Sequence, residues 1–450
     1  MLPWHWRSLP LNDRSGSEIF SALFLMESIA TLLESPVRSG LAMSRYSICA
    51  GSPRVINGQQ QLWTTPLGEI MPFLRQLISS GQPAAAPDLP FTGGWLGWLG
   101  YETAWELENL PPHRPDSLPF PVCYWYEPAN FAVLDHQQQQ LYLAATDPDD
   151  LVVMTDRLAA QQFTTTTPIT KLTQPKQSSL QIDFLTSAED YQQSVLQAQA
   201  YIQAGDIYQA NLSVRFTAQT EQSSWSIYQK LQQINPSPFA SYWQTPWGAV
   251  ISCSPERLVR LDDQIAQARP IAGTRPRGAN LLQDQELAAT LLANPKEIAE
   301  HIMLVDLERN DLGKVCQWGT VEVDELLSIE RYSHVMHLVS NVLGKLAAGR
   351  DAIDLIQSTF PGGTITGCPK VRCMEIIAEL EPSPRNLFYG SCGYLDQRGQ
   401  LDLNILIRTL LHHQGQVWGQ VGAGIVADSD PEQEWVESLQ KAKAQIQAIS

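Results

Sequence analysis

The stretch "GQVWGQVGAGIVADSDPEQEWVESLQKAKAQIQAI" (415–449) admits two readings of the fold, and the choice between them sets the class. Its "GAGIVA" (422–427) matches a bare GxGxxA, the turn that opens a dinucleotide-binding βαβ unit. That unit requires the glycines to lead directly into a helix, followed by another strand and an acid for the ribose. Here the next helix starts only at Pro431, and the chain ends too soon for the strand and the acid. What remains is a β-rich run (415–428) against a separately capped helix, with Asp430 as N-cap, Pro431 as first helical residue and Gln433 three after the cap. This reads as an α+β chain, not a doubly wound sheet.

Working outward, the same device opens "NPKEIAEHIMLVDLERND" (294–311), with Asn294 as N-cap, Pro295 after it and Glu297 placed to close a capping box. Upstream, "GAVISCSPERLVRLD" (248–262) is β-rich and "SAEDYQQSVLQAQAYIQAG" (187–205) has helical periodicity, while "FAVLDHQQQQLYLAAT" (131–146) contains strand-like runs between turns. "IFSALFLMESIATLL" (19–33) reads as an amphipathic helix facing a core; it is too short to span a bilayer and carries Glu27. Between the halves, "QQFTTTTPITKLTQPKQSSLQ" (161–181) is poor in apolar residues and reads as a surface connection. The chain has no internal repeat.

The 450 residues suffice for a large core, and length alone suggests two or three domains. A net charge of −17 argues against nucleic-acid binding, which needs a basic surface to displace counterions. "MLPWHWRSLPL" has no long apolar segment of a secretory signal. The seven cysteines are scattered, with no CxxC pair, which implies a reduced, cytoplasmic protein without a disulfide framework or a zinc site.

Two further glycine-rich stretches are decoys. "GGTITGCPK" (362–370) has Cys368 and Pro369 where a phosphate loop needs Lys and Ser/Thr. "GGWLGWLG" (93–100) marks close packing of strands or helices, and a GxSxG elbow is absent. "PIAGTRPRG" (270–278), with Arg275 and Arg277 beside Thr274, reads as a loop built to hold an anion, and Ala272 offers no reactive side chain.

Two acidic faces are harder to dismiss. Glu297 and Glu300 are three apart on one helix, and Glu300 is flanked by Ile298, Ile302 and Met303. Glu434, Glu437 and Lys441 share a face of the last helix, with Glu437 between Trp435 and Leu439. Unpaired carboxylates near a core are costly and call for a cation. With no Cys or His pair at ligand spacing, carboxylate oxygens fit Mg²⁺; spacing alone leaves solvated helix faces as the other reading.

Seven motifs in order, "SCSPERL", "PIAGTRPRG", "AEHIMLVDLERNDLG", "HVMHLVS", "FPGGTITGCPKVRCMEII", "YGSCGYLDQRGQLDLNILIRTL" and "GAGIVADSDPEQEWVESLQKAKA", resemble the chorismate-utilising enzymes. That family comprises anthranilate synthase and aminodeoxychorismate synthase components I and the isochorismate and salicylate synthases. The resemblance is strong over about 185–450. Residues 1–160, through "LLES" (32–35), "SRYS" (44–47) and "FTGGWLGWLGYE" (91–102), resemble the first two groups only. It implies a chorismate-binding catalytic region, 182–450, whose two facing β-sheets share one core with the N-terminal region and hold the site in a cleft.

The resemblance implies roles residue by residue. Glu300 and Glu437 bind Mg²⁺, which holds the ring carboxylate of chorismate, with Glu297 and Glu434 behind them. Arg408, Tyr389 and Lys441, with backbone at Gly422 and Gly424, take the enolpyruvyl carboxylate, while Thr274 and Thr364 contact substrate. Glu256 is the general acid for the leaving C4 hydroxyl, and His337 removes the proton near C2; taken alone, His337 reads as a core histidine. "LLES" with Ser44 and "NPSPF" (235–239) resembles a tryptophan pocket, through Leu33, Glu34, Ser35, Ser44, Pro238 and Phe239.

Within the family, the water-using synthases carry a general-base lysine where "YQANLSVR" (208–215) has Gln209. A neutral amide cannot be that base, so the resemblance implies ammonia, delivered by a separate glutamine amidotransferase subunit because no Gly-x-Cys-x-Gly segment is present. "PIAGT" is the anthranilate synthase form, where aminodeoxychorismate synthases often have lysine at the position of Ala272. Thr366 in "FPGGTITGCPK" is the aminodeoxychorismate synthase form. The balance favours aminodeoxychorismate synthase component I, then anthranilate synthase component I. A catalytically inactive scaffold is the reading of another class.

Overall fold

The run Gly94–Leu99 is a strand buried at every position, and its glycines explain how it can be. A Cβ on Gly97 would stand 2.1 Å from the Tyr124 carbonyl oxygen. The strand is thus pressed between Ser391–Asp396 on one side and Cys123–Tyr126 on the other. Trp95, Trp98 and Trp125 fill the space around it and are at most 1% exposed, each burial contributing about 2–3 kcal/mol of transfer free energy.

The structure is a computed structural model that describes residues 4–36, 42–81, 86–160, 180–332 and 335–450. Among these residues two large antiparallel sheets form. One runs from His5–Pro10 through the hairpin Asn130–Asp135/Gln140–Ala145, then Tyr46–Ala50, Ala30–Glu34, Phe239–Thr245, Gly248–Ser254, Thr409–His413, Gln416–Ile425 and Gln209–Gln219 to Ile182–Phe184. The other runs from Ile271–Pro276 through Val335–Lys345, Ile265–Ala268, Arg257–Asp262, Leu401–Asn404 and Ser391–Asp396 to Gly94–Leu99, Cys123–Tyr126 and Leu62–Trp63. Helices accompany the sheets, which makes the architecture α+β.

Both sheets mix early and late strands. Leu33 pairs with Ser241 in one, and Gly97 pairs with Gly393 in the other. One apolar cluster joins Trp98 and Phe131 to Val259 and Leu403. Of the surface connection expected at 161–181, only Leu180 and Gln181 lie within the described residues.

The expected helix over 19–33 is a different object. Helix Gly16–Leu23 ends there, a turn follows, and Ala30–Glu34 is a strand in the first large sheet. The apolar count was right but its period was not continuous: Glu27 breaks the run, accepting the Ser52 amide at 2.5 Å, and β-branched Thr31 starts the extended segment. The two capped helices form as read, Pro295–Gly313 and Pro431–Ile449, with Asn294 and Asp430 accepting first-turn amides. Glu297 does not close a capping box; its carboxylate goes to Arg275 instead, at 3.0 Å. A charged partner outweighs a neutral amide.

Candidate active site

Strand Ile271–Pro276 pairs with Val335–Lys345, and the register slips between Ala272 and Thr274. The extra residue is Gly273, at φ +63°, where any Cβ would lie 2.7 Å from the Glu297 carboxylate. This bulge sets Thr274 opposite His337, with its hydroxyl 2.9 Å from Nδ1. His337 is 2% exposed; burial, then the Arg408 guanidinium, push its pKa down to about 3, so the imidazole is neutral. Ala272, also buried, lies opposite Leu338.

Glu256 sits in the turn between Gly248–Ser254 and Arg257–Asp262 and is buried. Burial lifts its pKa to about 7, against the pull of the Thr364 hydroxyl, the Ile271 amide and Arg408. Arg408, held at φ +50°, donates to Asn235 Oδ1 at 3.1 Å. Among the described residues it has no ion pair, and burial lowers its pKa. A guanidinium taken out of water without a carboxylate is costly unless a ligand supplies one. Close by in the fold, the Tyr389 hydroxyl and the side-chain carbonyl oxygens of Gln209 and Asn211 are buried without hydrogen-bond partners. The site therefore offers a cation, an acid that holds its proton well above the ordinary carboxylate range, a neutral imidazole and unsatisfied polar atoms.

The arginines of the loop 270–278 do not supply this cation. Arg275 pairs with Glu297, and Arg277 pairs with Asp284 at 2.6 Å while donating to the Tyr332 carbonyl. In an acidic protein, neighbouring carboxylates claim exposed guanidiniums first, so the expected anion loop is tied down by the protein itself. The guanidinium of this site that has no ion pair among the described residues is Arg408.

On the two capped helices Glu300 is crowded by Glu297 and Glu434 by Glu437, and Gln209 bonds Glu300. Burial and then Glu297 raise the pKa of Glu300, with the Gln209 amide (3.1 Å) and Lys441 opposing. Glu434 is raised by burial and by Glu437, opposed by Ser429, Lys441 and Lys296. Each helix thus feels the other's lysine. Lys441 reaches the Gly422 carbonyl at 3.0 Å and Glu437 at 2.8 Å. Among the described residues no three acidic, His or Cys side chains converge on one point. Glu300 and Glu437 carry carboxylate oxygens, the donor type that Mg²⁺ takes.

Gly422 and Gly424 serve close approach, as read, but toward the protein's own side chains. A Cβ on Gly422 would stand 2.9 Å from the Tyr389 hydroxyl, and one on Gly424 would stand 2.2 Å from the Gln209 amide. Thr366 is fully buried and donates to the Gly362 carbonyl at 2.9 Å. Its hydroxyl is spent on the loop that carries Thr364. Asn211 and Asn235 lie in the quoted stretches 208–215 and 235–239 but were given no role there, because their partners come from other elements.

Away from this site, Leu33, Glu34, Pro238 and Phe239 line a cavity of about 250 Å³ with Arg257 and Tyr394. Ser35 donates to Ser44 at 3.2 Å. The Glu34 carboxylate is engaged by Ser17, Tyr228 and Gln232.

Residues 34–447 match the family of chorismate binding enzymes. The chain is 60% identical to the anthranilate synthase component I-like protein of Synechocystis sp., over 99% of this chain and 92% of that one. It is 38% identical to the anthranilate synthase component 1 of the same organism, over 93% and 90%. It is 39% identical to aminodeoxychorismate synthase component 1 of Bacillus subtilis, over 98% and 96%. The solved anthranilate synthase component I of Streptococcus pneumoniae is similar in fold, with a TM-score of 0.76, 30% identity and coverage of 89% and 92%. With a half-buried arginine outside any ion pair of the described residues, a buried acid of raised pKa and a neutral histidine in that fold, the chain belongs to the chorismate-utilising enzymes of the anthranilate and aminodeoxychorismate synthase component I family.

Proposed function

We propose that the chain is an aminodeoxychorismate synthase component I, which replaces the C4 hydroxyl of chorismate by ammonia from a glutamine amidotransferase partner. The observation that carries the nucleophile is Gln209, whose amide holds Glu300 at 3.1 Å where a water-activating enzyme needs a base. The pattern of likeness supports the product: the 60% relative is distinct from the anthranilate synthase component 1 of the same organism, which this chain matches at only 38%. Anthranilate synthase is the second reading, favoured by Ala272.

In this reading Arg408, with Tyr389 and Lys441, binds the enolpyruvyl carboxylate. Glu256 gives its proton to the C4 oxygen, which leaves as water while ammonia forms the new C–N bond; the surplus proton leaves the ammonium. Mg²⁺ on Glu300 and Glu437, when bound, withdraws electron density through the ring carboxylate. Ala272 has no nucleophile, so no covalent adduct forms and ammonia adds directly. His337, neutral and fixed by Thr274, holds the ring without removing a proton at C2. The test is to supply chorismate, Mg²⁺ and either ammonium or glutamine to the pure chain and identify the product. Turnover with ammonium alone supports the reading, and turnover with glutamine contradicts the need for a partner.

A further inference from the structure

Behind Tyr389 lies a second guanidinium, which the reaction as described leaves unused. Arg385 is 1% exposed. Its guanidinium carbon packs over two aromatic rings, 4.6 Å from the centre of Tyr389 and 4.7 Å from the centre of Tyr101. Nε and Nη2 donate to the Glu381 carboxylate at 2.9 and 2.6 Å. Nη1 donates to the Ile365 carbonyl at 2.9 Å, and Nη2 also reaches the Asn211 carbonyl at 2.7 Å. Glu381 is fixed in turn, because its Oε1 accepts the amide and the hydroxyl of Ser213.

The ion pair with Glu381 neutralises the charge, and the other contacts go to segments that carry the site. Ile365 ends the turn Gly363–Ile365, which bears Thr364. Asn211 lies two residues from Gln209 on strand Gln209–Gln219. Tyr389 stands at φ +65°, its amide donating to the Leu406 carbonyl at 2.9 Å. A tyrosine in the left-handed region persists only where its surroundings over-determine it, and the Arg385 face is one of those surroundings. The Tyr389 hydroxyl and Asn211 Oδ1, which this guanidinium brings together, are both buried without a hydrogen-bond partner among the described residues.

We infer that Arg385 is a positioning residue: it clamps the Tyr389 ring, the Gly363–Ile365 turn and strand Gln209–Gln219 to one another, and so holds the Tyr389 hydroxyl ready for a carboxylate of chorismate. The inference rests on the reading of Tyr389 as a ligand of that carboxylate. A planar fork suits the task, because it lies flat on a ring while its edge bonds a carboxylate and two carbonyls in fixed directions. Ordering the hydroxyl before substrate arrives lowers the cost of binding, so the effect belongs in KM. Burial pushes the Tyr389 phenol up and the Arg385 charge opposes this, which agrees with the two groups acting on each other.

The experiment is a double-mutant cycle on chorismate consumption by the full chain with ammonium and Mg²⁺, using the wild type, Arg385→Lys, Tyr389→Phe and the pair. Lysine keeps the charge but cannot engage Glu381, Ile365 and Asn211 together. Arg385→Lys should raise KM for chorismate about tenfold and change kcat less than about threefold. In the Tyr389→Phe background the same change should raise KM less than about twofold. Equal factors in the two backgrounds, or a lowered kcat with KM unmoved, overturn the inference and leave Arg385 a structural residue. An unchanged KM in Tyr389→Phe overturns it at its foundation, the reading of Tyr389, and that single variant tells this failure from a failure of Arg385. If Arg385→Lys folds poorly by circular dichroism, Glu381→Gln, which loosens the guanidinium without removing it, takes its place in the cycle. A rise in KM confined to the Tyr389 background then supports the inference, and equal factors overturn it.

Discussion

Thr274 and His337 face each other across an antiparallel pair, hydroxyl to Nδ1 at 2.9 Å, because the Gly273 bulge shifts the register by one residue. Replacing Thr274 by Val keeps the shape and deletes the bond, worth about 1 kcal/mol. We predict a loss of about fivefold in kcat/KM without loss of thermal stability below that of a typical surface change, measured by steady-state kinetics and melting.

Glu256 and His337 shift stability with pH in opposite senses. Glu256 has its folded pKa raised from the ordinary 4.5 to about 7, so its contribution is greatest below pH 4.5 and is lost as pH rises through 7. His337 has its folded pKa lowered from 6.5 to about 3, so its contribution is present above pH 6.5 and is lost as pH falls toward 3. Glu256→Gln removes the first slope. Urea midpoints should show the variant gaining on the wild type between pH 5 and pH 8; parallel curves would refute the burial of an ionisable Glu256.

Much of this was legible in the sequence, for physical reasons that differ by residue. Asn294-Pro295 and Asp430-Pro431 announce helix starts because an N-cap oxygen and a proline without an amide satisfy the same local demand. The segment 19–33 was misread because apolar residues score alike in a helix and in a central strand, and only pairing with Tyr46–Ala50 and Phe239–Thr245 separates them. The anion loop was misread because the sequence does not reveal that Glu297 and Asp284 reach Arg275 and Arg277 from other elements. Arg408 was named from the resemblance, but that it has no ion pair among the described residues required the fold. Gln209 was noted for its identity, but its bond to Glu300 required the fold.

The mixed sheets bear on where the chain can be cut. Residues 182–450 alone would expose Phe239–Thr245 and Ser391–Asp396 as bare edges, and would lose Trp95, Trp98 and Phe131 from the shared cluster. We predict that this fragment shows no cooperative unfolding transition and no turnover. A fragment that melts cooperatively and turns over chorismate at the full rate would show that the C-terminal half stands alone.

The metal reading predicts that Glu300→Gln and Glu437→Gln each lower kcat by about 10²-fold or more at limiting Mg²⁺, and that excess Mg²⁺ recovers part of the loss. Melting temperatures should stay within a few degrees of the wild type. Near-normal turnover of both variants at limiting Mg²⁺ would remove these residues from the metal site.

The most direct test of the proposed function is the product of chorismate, Mg²⁺ and ammonium, followed by fluorescence and chromatography with and without an added aminodeoxychorismate lyase. The account predicts no anthranilate fluorescence, no pyruvate before the lyase is added, and 4-aminobenzoate with an equal amount of pyruvate after it. Anthranilate and pyruvate in equal amounts without the lyase, accounting for the chorismate consumed, would contradict it and make the chain an anthranilate synthase.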